Sequence, residues 1–472
     1  MNAFPWRAEG TNQLAQARTN LVTQLHVIVA AISERADRIS LAHSNLLLWG
    51  GCEDPAQKKP HRILCPPPHM VHMCVTHGKR AAVEIPNPFK YDLGAIRNFV
   101  GEIARTPQVA ATRLMAKKHA QPVIGYIGWS GHRNLGDEAL FEAIQNGLRD
   151  VLLLPLLPEP GERMLTRWGL GGRSLFRAVL LGGGTLVNSS FLPMAKLAHE
   201  LGLPLYTVGT GVGSPGFGMP LDSNALGNWN EILEGCDFLS VRGPLSASAL
   251  RNAGLEEIQI IGDPALGLTP ERVPAFRMRR RLVINLAREK TDYPLFKDVA
   301  AIAKEFLQDG GEVVGVALGS GDRAVIERFR RTYRLPDLRV EEHRRSAEDF
   351  LATVAGSTAL IGVRLHSAVL ACCVGVPCIL LAYRSKCFDF MQSMNLDEFC
   401  LPLDGQNSGA LLRACWRKIL FDPGLGEQVY RQAVFWKHKQ QSYFARLADR
   451  LQEQPLPSHM GRGAHSRHLR SF

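Results

Sequence analysis

The sequence predicts an α/β protein with two doubly wound, Rossmann-like domains that face each other across a cleft. From residue 121 onward, short apolar runs with strand character alternate with helical patterns, as in right-handed parallel βαβ units. A basic linker over 269–281, with Pro270 and Pro274, divides these units into two sets. A chain of 472 residues is long enough to bury the cores of two such domains.

The first 120 residues lack this alternation and form an N-terminal extension. Apolar residues at helical spacing predict one amphipathic helix in it: Leu14, Leu21, Leu25, Ile28, Ile32 and Ile39. A proline-rich stretch follows, with Cys52, Cys65 and Cys74 among His61, His69, His72 and His77. A zinc site is one interpretation. The spacing lacks paired Cys-x-x-Cys or His-x3-His elements, so a surface loop is favoured.

The first domain, 121–270, and the second, 281–400, each follow from their strand pattern. In the first, strands are predicted at 122–129, 151–156, 178–182, 204–209, 238–242 and 258–262, with a helix over 136–148. In the second, they are predicted at 282–287, 312–318, 338–341, 358–363 and 377–382, with a helix over 295–307. A C-terminal helical segment, 401–454, carries an amphipathic helix over about 425–452 that returns to the first domain. The basic tail 455–472 is predicted to be disordered.

The net charge of +11 requires an acidic partner, which is nucleic acid, an anionic membrane face or an anionic substrate. The charge is scattered along the chain, which argues against nucleic acid. A small anionic substrate uses only a few of the positive charges, and the others are compatible with peripheral contact with the inner membrane surface. Ten irregularly spaced cysteines and the lack of a recognisable secretion signal predict reduced thiols and a cytoplasmic protein.

The tripeptide Arg364-Leu365-His366 ends the apolar run 358–363 and opens a helical pattern. Open α/β sheets bind ligands where strands end and helices begin. An Arg there offers two donors that match a carboxylate or phosphate, and a His can hold phosphate or move a proton. The alternative is an Arg paired with a neighbouring carboxylate and a His packed at a helix start.

Two glycine-rich segments also follow predicted strands. Gly182-Gly183-Gly184-Thr185 can present backbone N–H groups to an anion or a sugar, or can form a tight turn. The segment 211–216 matches G-x-G-x-x-G, but Pro215 and Pro220 oppose the helix that a dinucleotide site needs, so a flexible loop is favoured.

Acidic residues lie at two further strand ends. Asn134, Asp137 and Glu138 follow the first strand, where they either stabilise a helix N-terminus or line the cleft. Asp263, in a Gly-Asp-Pro sequence, either forms a turn or faces the same cleft.

Taken in order, these motifs and the segments 241–246, 375–383 and Lys386 resemble the polysaccharide pyruvyl transferase family over about residues 122–395. The resemblance implies a fold similar to the two-domain GT-B glycosyltransferases. It also implies transfer of pyruvate from phosphoenolpyruvate onto a sugar of a polysaccharide or its lipid-linked precursor, as a ketal. The long N- and C-terminal extensions and the basic loop 129–133 depart from the family pattern.

Ketal formation requires a general acid, a general base and cations for the carboxylate and phosphate. We assign Arg364, Arg242 and Lys386 as anion ligands, His366 as the acid or phosphate-holding group, and Asp137 or Glu138 as the base. Asn134, Gly183, Gly184, Thr185 and Asp263 are the further predicted substrate contacts. No cofactor or obligatory metal is expected, because phosphate is already an activated leaving group. The alternatives are a GT-B glycosyltransferase or nucleotide-sugar epimerase, and a basic adaptor protein; the acceptor sugar and the oligomeric state stay open.

Overall fold

A computed structural model describes residues 109–117, 121–131, 134–213, 223–272, 276, 279–287, 293–344, 346–403, 405 and 408–453. The chain divides into two compact units, 1–111 and 112–472, and all the sheets lie in the second. The predicted N-terminal helix, the cysteine- and histidine-containing stretch and the basic tail lie outside the described residues.

The first half of the second unit contains eight parallel strands, β1 to β8. They are Val123–Ile127, Leu152–Pro155, Ala178–Leu181, Gly184–Val187, Leu205–Thr207, Thr210–Val212, Ser240–Val241 and Gln259–Ile260. They form two four-stranded sheets, with orders β2-β1-β3-β5 and β4-β6-β7-β8. The sequence predicts a single strand over 204–209, but the structure breaks it at Gly209, whose φ of +56° ends β5 and starts β6 in the other sheet.

The second half contains one six-stranded parallel sheet, β9 to β14, with order β11-β10-β9-β12-β13-β14. Its strands are Arg281–Asn285, Glu312–Ala317, Arg339–Glu342, Ala359–Gly362, Cys378–Ala382 and Cys400–Pro402. The edge strand β14 was not predicted, because three residues are too few to show a period. Strands β9, β10, β12 and β13 are buried almost throughout, as expected of a parallel sheet covered on both faces.

Helices α1 to α5 belong to the first half: Leu135–Gly147, Gly161–Arg167, Leu192–Glu200, Ser223–Leu233 and Pro244–Asn252. Helices α6 to α11 belong to the second half: Leu295–Gln308, Asp322–Thr332, Ala347–Val354, Leu365–Cys373, Ser385–Ser393 and Ser408–Phe421. Short 3-10 turns cover Gly172–Ser174, Pro264–Leu268 and Asp397–Phe399, and residues 109–116 are helical. The two doubly wound halves confirm the predicted fold class.

The long helix α12, Leu425–Glu453, fastens the two halves together. Its Trp436 donates to the carbonyl of Ser393 at the end of α10, and Tyr443 donates to the carbonyl of Thr207 in β5. The apolar core of the second half also continues into α1 of the first half through Leu135. The cleft between the halves therefore has a fixed, largely apolar base.

None of the helices among the described residues combines the length and apolar composition that crossing a bilayer requires.

Candidate functional site

A cavity of about 270 Å³ lies between the halves, where the carboxyl ends of their parallel strands meet. Most of the predicted site residues line it: Asn134, Asp137, Gly184, Thr185, Arg242, Arg364, His366 and Lys386. These residues follow β1, lie in β4, or follow β7, β12 and β13. Ligands of open α/β sheets bind at this edge, so the topology brings together residues that are far apart in sequence.

The guanidinium of Arg364 pairs with a buried carboxylate at the wall of this cavity. Its Nε and Nη2 atoms donate to the two carboxylate oxygens of Asp322 at 2.6 and 2.7 Å, and its backbone N–H donates to Asn285. Asp322 opens α7 and also accepts from the backbone of Leu318 and Gly319. The alternative predicted for Arg364, a neighbouring carboxylate, is thus present, while the side chain also lines the cavity.

His366 lies at the start of α9 and lines the cavity with a largely buried side chain. Its Nε2 atom lies 3.7 Å from the Oδ2 atom of Asp263, which belongs to the other half. A methyl group on Gly136 would lie 2.1 Å from the His366 Nδ1 atom, so the imidazole packs directly on the first turn of α1. Burial is the main reason that the pKa of His366 is lowered to about 4. The Asp263 carboxylate raises this pKa, whereas Lys386 and the nearby arginines lower it. The imidazole is therefore neutral near pH 7.

Arg242 follows β7 and is also buried. Its Nη1 atom lies 3.6 Å from Oδ2 of Asp263, its Nε lies 3.7 Å from Oδ2 of Asp389, and its Nη2 donates to Thr185 at 3.4 Å. Arg242 Nε and Nη1, Asp263 Oδ2 and His366 Nε2 make no hydrogen bond within the described residues. These buried polar atoms are the groups of the site that a ligand or ordered water can satisfy.

The carboxyl group of Asp137 faces the cavity from the first turn of α1. Asn134 does not cap the helix with its side chain, but donates from its amide to Asp137 at 2.5 Å. Burial raises the pKa of Asp137 to about 6, opposed mainly by Lys386 and by the bond from Asn134. Across the cleft, the Leu135 backbone N–H donates to the carbonyl of Leu318. The start of α1 is therefore anchored to the second half.

Three predicted residues lie beside the cavity rather than in its lining. Glu138 accepts a hydrogen bond from the backbone of Gly131. Gly183 packs under α1, where a methyl group would lie 2.6 Å from Leu140. Asp263 forms the predicted turn with Oδ1, which accepts from the Ala265 N–H, while Oδ2 faces Arg242 and His366. The turn interpretation of Asp263 therefore describes Oδ1, and the cleft interpretation describes Oδ2.

Sequence reasoning missed several residues that shape the site. Trp129, Tyr383 and Arg384 line the cavity, and Asn285, Asp322 and Asp389 hold its side chains. Among the described residues Lys386 has no carboxylate within ion-pair distance; its Nζ lies 5.2 Å from the Tyr383 ring centroid. The signal for these two residues was their place at a strand end, the rule that selected Arg364: Asn285 is the last residue of β9, and Asp322 begins the helix after β10.

The other chemistry considered in the sequence has no counterpart in the described part of the chain. Its His, Cys, Asp and Glu residues include no group arranged to hold a metal ion. The first glycine of the G-x-G-x-x-G match lies inside β6, not at the opening of a helix, and residues 214–222 are outside the described ranges. The described free cysteines are mostly buried, and burial raises the pKa of thiols such as Cys373 to about 12, so they are unreactive thiols.

Solved structures that this chain is similar to include two epimerases and a transferase. A putative UDP-N-acetylglucosamine 2-epimerase from Listeria monocytogenes has a TM-score of 0.50 at 14% identity, covering 72% of this chain and 99% of that one. The Neisseria meningitidis UDP-GlcNAc 2-epimerase has a TM-score of 0.44 at 10% identity, with 70% and 99% coverage. A Thermobaculum terrenum O-GlcNAc transferase variant has a TM-score of 0.40 at 12% identity, with 74% and 73% coverage. At 14% identity the likeness to the Listeria monocytogenes structure shows the fold alone, and no curated protein sequence matches the chain.

The sequence profile of the polysaccharide pyruvyl transferase family matches residues 134–385, which is just over half of the chain. The match begins at Asn134, directly before α1, and ends at Ser385, at the start of α10. It therefore contains every predicted site residue except Lys386, and it confirms the family resemblance carried by the motifs. The chain belongs to the polysaccharide pyruvyl transferase family of enzymes.

Proposed function

We propose that the protein transfers pyruvate from phosphoenolpyruvate onto two hydroxyl groups of one sugar, forming a cyclic ketal and releasing phosphate. The observation that carries this proposal is the meeting of Arg242, Arg364 and Lys386 with His366 and Asp137 on one small cavity. The cations suit a ligand with a carboxylate and a phosphate, and the two titratable groups suit a reaction that moves protons.

The cations differ in what they can offer to the donor. Lys386 is the best placed to take the phosphate, since no described carboxylate lies within ion-pair distance of it. Arg364 is held by Asp322, and Arg242 lies between two carboxylates. They act as preorganised hydrogen-bond donors rather than as uncompensated charges. Charge-assisted hydrogen bonds contribute roughly 1.5–3 kcal/mol each, enough for micromolar to millimolar donor binding after entropy losses.

The pKa values favour an assignment of acid and base that differs from the one made on the sequence. Asp137, with a raised pKa, is the proton donor to the methylene carbon, and neutral His366 accepts the proton of the attacking hydroxyl. Lys386 lowers both of these pKa values. A bound trianion will offset that effect and raise both pKa values toward neutral pH.

The reaction then balances in two stages. Asp137 protonates the methylene carbon to a methyl group, the first sugar oxygen bonds to C2, and His366 takes its proton. The second hydroxyl oxygen bonds to C2 as the C2–O bond to phosphate breaks, and its proton leaves with the phosphate. The proton on His366 then returns to Asp137 through solvent, which resets the site.

For the acceptor, we propose that the sugar ring packs on Trp129. This side chain is 39% exposed, lines the cavity and meets Phe191 edge to face. An exposed aromatic face in a polar cleft suits the C–H face of a sugar, while Asn134 can bond its hydroxyls. We further propose that the acceptor belongs to a polysaccharide or its lipid-linked precursor. The net charge of +11 favours work at the cytoplasmic face of the membrane.

The test is calorimetry with phosphoenolpyruvate, a UDP-sugar and duplex DNA, followed by phosphate release in the presence of candidate oligosaccharides. We expect binding of phosphoenolpyruvate that weakens with salt, and phosphate release that depends on the acceptor but not on added divalent cations. Tight UDP-sugar binding without a response to phosphoenolpyruvate would instead support a glycosyltransferase or epimerase. Binding of DNA alone would support the adaptor interpretation.

A further inference from the structure

Asp389 joins the two halves beneath the site without lining the cavity. It lies on α10 of the second half, one turn after Lys386, and its carboxylate reaches α5 of the first half. Oδ1 accepts from the backbone N–H groups of Leu245 and Ser246 at 2.9 and 3.2 Å. Oδ2 accepts from the Ser246 hydroxyl at 2.6 Å and lies 3.7 Å from Nε of Arg242. One buried carboxylate thus caps a helix of the other half and faces a site arginine.

The backbone next to these contacts has no room for adjustment. A methyl group on Gly243 would lie 2.3 Å from both the carbonyl oxygen and the Oδ1 atom of Asp389. Gly243 has φ of −154°, an extended conformation open to any residue, so close approach and not backbone freedom favours glycine here. The first turn of α5 and the side chain of Asp389 therefore form a close contact between the halves.

We propose that Asp389 is a positioning residue that sets the spacing between Lys386 and Arg242, and so the width of the donor site. Lys386 and Asp389 share the short helix α10, while Arg242 immediately precedes the turn that Asp389 caps. Any movement of the halves apart must break the bonds to Leu245 and Ser246. The same movement carries Lys386 away from Arg242, because both are attached to the elements that separate.

The charge of Asp389 has a second effect on Arg242. The guanidinium lies between Asp389 and Asp263 at nearly equal distances, so it is held from both sides. Removing the charge of Asp389 leaves Asp263 as the closer attraction and draws Arg242 toward His366. The helix cap and the arginine therefore depend on the same carboxylate, and Asp389→Asn weakens both, because the amide loses the negative charge that strengthens the cap bonds and holds Arg242.

The experiment compares Asp389→Asn and Gly243→Ala with Ser346→Ala as a matched control. Ser346 caps α8 with a hydrogen bond of 3.0 Å to the Asp349 N–H and is remote in sequence from the contact between α5 and α10. Loss of such a cap costs about 1 kcal/mol, so the control reports the kinetic effect of a small stability loss alone. Each variant is measured by thermal melt, by amide hydrogen exchange at Leu245 and Ser246, and by steady-state kinetics with phosphoenolpyruvate.

Asp389→Asn and Gly243→Ala should raise the KM for phosphoenolpyruvate on the order of 10- to 100-fold, with a smaller change in kcat and faster exchange at Leu245 and Ser246. Ser346→Ala should leave both readouts unchanged.

The KM readout rests on the proposed function, whereas the exchange measurement needs no ligand. If wild-type protein ignores phosphoenolpyruvate, the proposed function fails and exchange still tests the contact. Unchanged exchange in folded Asp389→Asn and Gly243→Ala proteins would overturn the proposal, and so would an unchanged KM in an active enzyme. If Asp389→Asn does not fold, Gly243→Ala alone decides.

Discussion

Asp263 of the first half, which is fully buried, lies 3.7 Å from the Nε2 atom of His366 in the second half, whose side chain is 12% exposed. Asp389 makes the converse contact, from the second half to Arg242 of the first. Each half therefore supplies the carboxylate that faces a site residue of the other. This exchange means that the site is complete only when the halves are in contact.

Replacing Asp263 with Asn should change the titration of His366. The Asp263 charge raises the pKa of His366 against the lowering effect of burial, so its loss should lower that pKa further. We expect the acid limb of the kcat/KM profile to move to lower pH, with a fall in kcat from loss of orientation. An unchanged acid limb in a folded Asp263→Asn enzyme would show that His366 is not the group that titrates there.

Replacing Asp137 with Asn tests its role as general acid and separates its titration from that of His366, the proposed general base. A carboxyl group whose pKa rises on folding favours the folded state at low pH, and this contribution is lost as pH rises from about 4 to about 6. His366, with a lowered pKa, has the opposite slope over nearly the same window. Between about pH 4 and pH 6 the contributions of these two groups to the melting temperature of the wild type should therefore nearly cancel. In Asp137→Asn only the His366 contribution remains, so the melting temperature should rise with pH.

The same variant should lose the alkaline limb of the kcat/KM profile and most of its turnover, about 10²–10⁴-fold, if Asp137 donates the proton. Glu138→Gln is the matched control on the neighbouring position, since Glu138 bonds to the Gly131 backbone beside the cavity. A larger loss in Glu138→Gln than in Asp137→Asn would reverse the assignment.

Replacing Arg364 with Lys should keep the charge but lose the two-point contact with Asp322. We expect a loss of about 10²-fold or more in turnover, comparable to removing one preorganised donor at the transition state. Arg281→Lys is a useful control, because Arg281 also pairs with a carboxylate, Glu312, but lies at the start of β9, away from the strand ends that form the site. Near-normal phosphate release with a lowered melting temperature would make the role of Arg364 structural.

Replacing Gly136 with Ala should displace His366, because the added methyl group would lie 2.1 Å from its Nδ1 atom. We expect turnover to fall at least 10-fold, since catalytic geometry tolerates little displacement. Gly227→Ala, in α4, meets no atom within 4 Å and should be neutral or slightly stabilising. Equal activity of the two variants would show that His366 does not need its contact with α1.

The sequence alone determined the class of fold, most of its strands, the helices α1, α6 and α12, and the list of strand ends that hold polar side chains. The signals are local: apolar runs, glycines at element ends and the linker. In a parallel sheet they also predict the binding edge, because ligands bind at the carboxyl ends of the strands. This is why Arg364, His366 and Asp137 could be predicted as site residues from the sequence, and all three line the cavity. The split of the first half into two sheets was not found, since it depends on a local change of direction at Gly209.

Only the tertiary structure decided which carboxylate faces which cation. Asp322 pairs with Arg364 across 42 residues, and Asp389 reaches Ser246 across 143. No local pattern encodes such contacts, because they depend on how the two halves are turned toward each other. The protonation states of Asp137 and His366 follow from the same cause: burial between the halves, not sequence neighbours, is the largest influence on both pKa values.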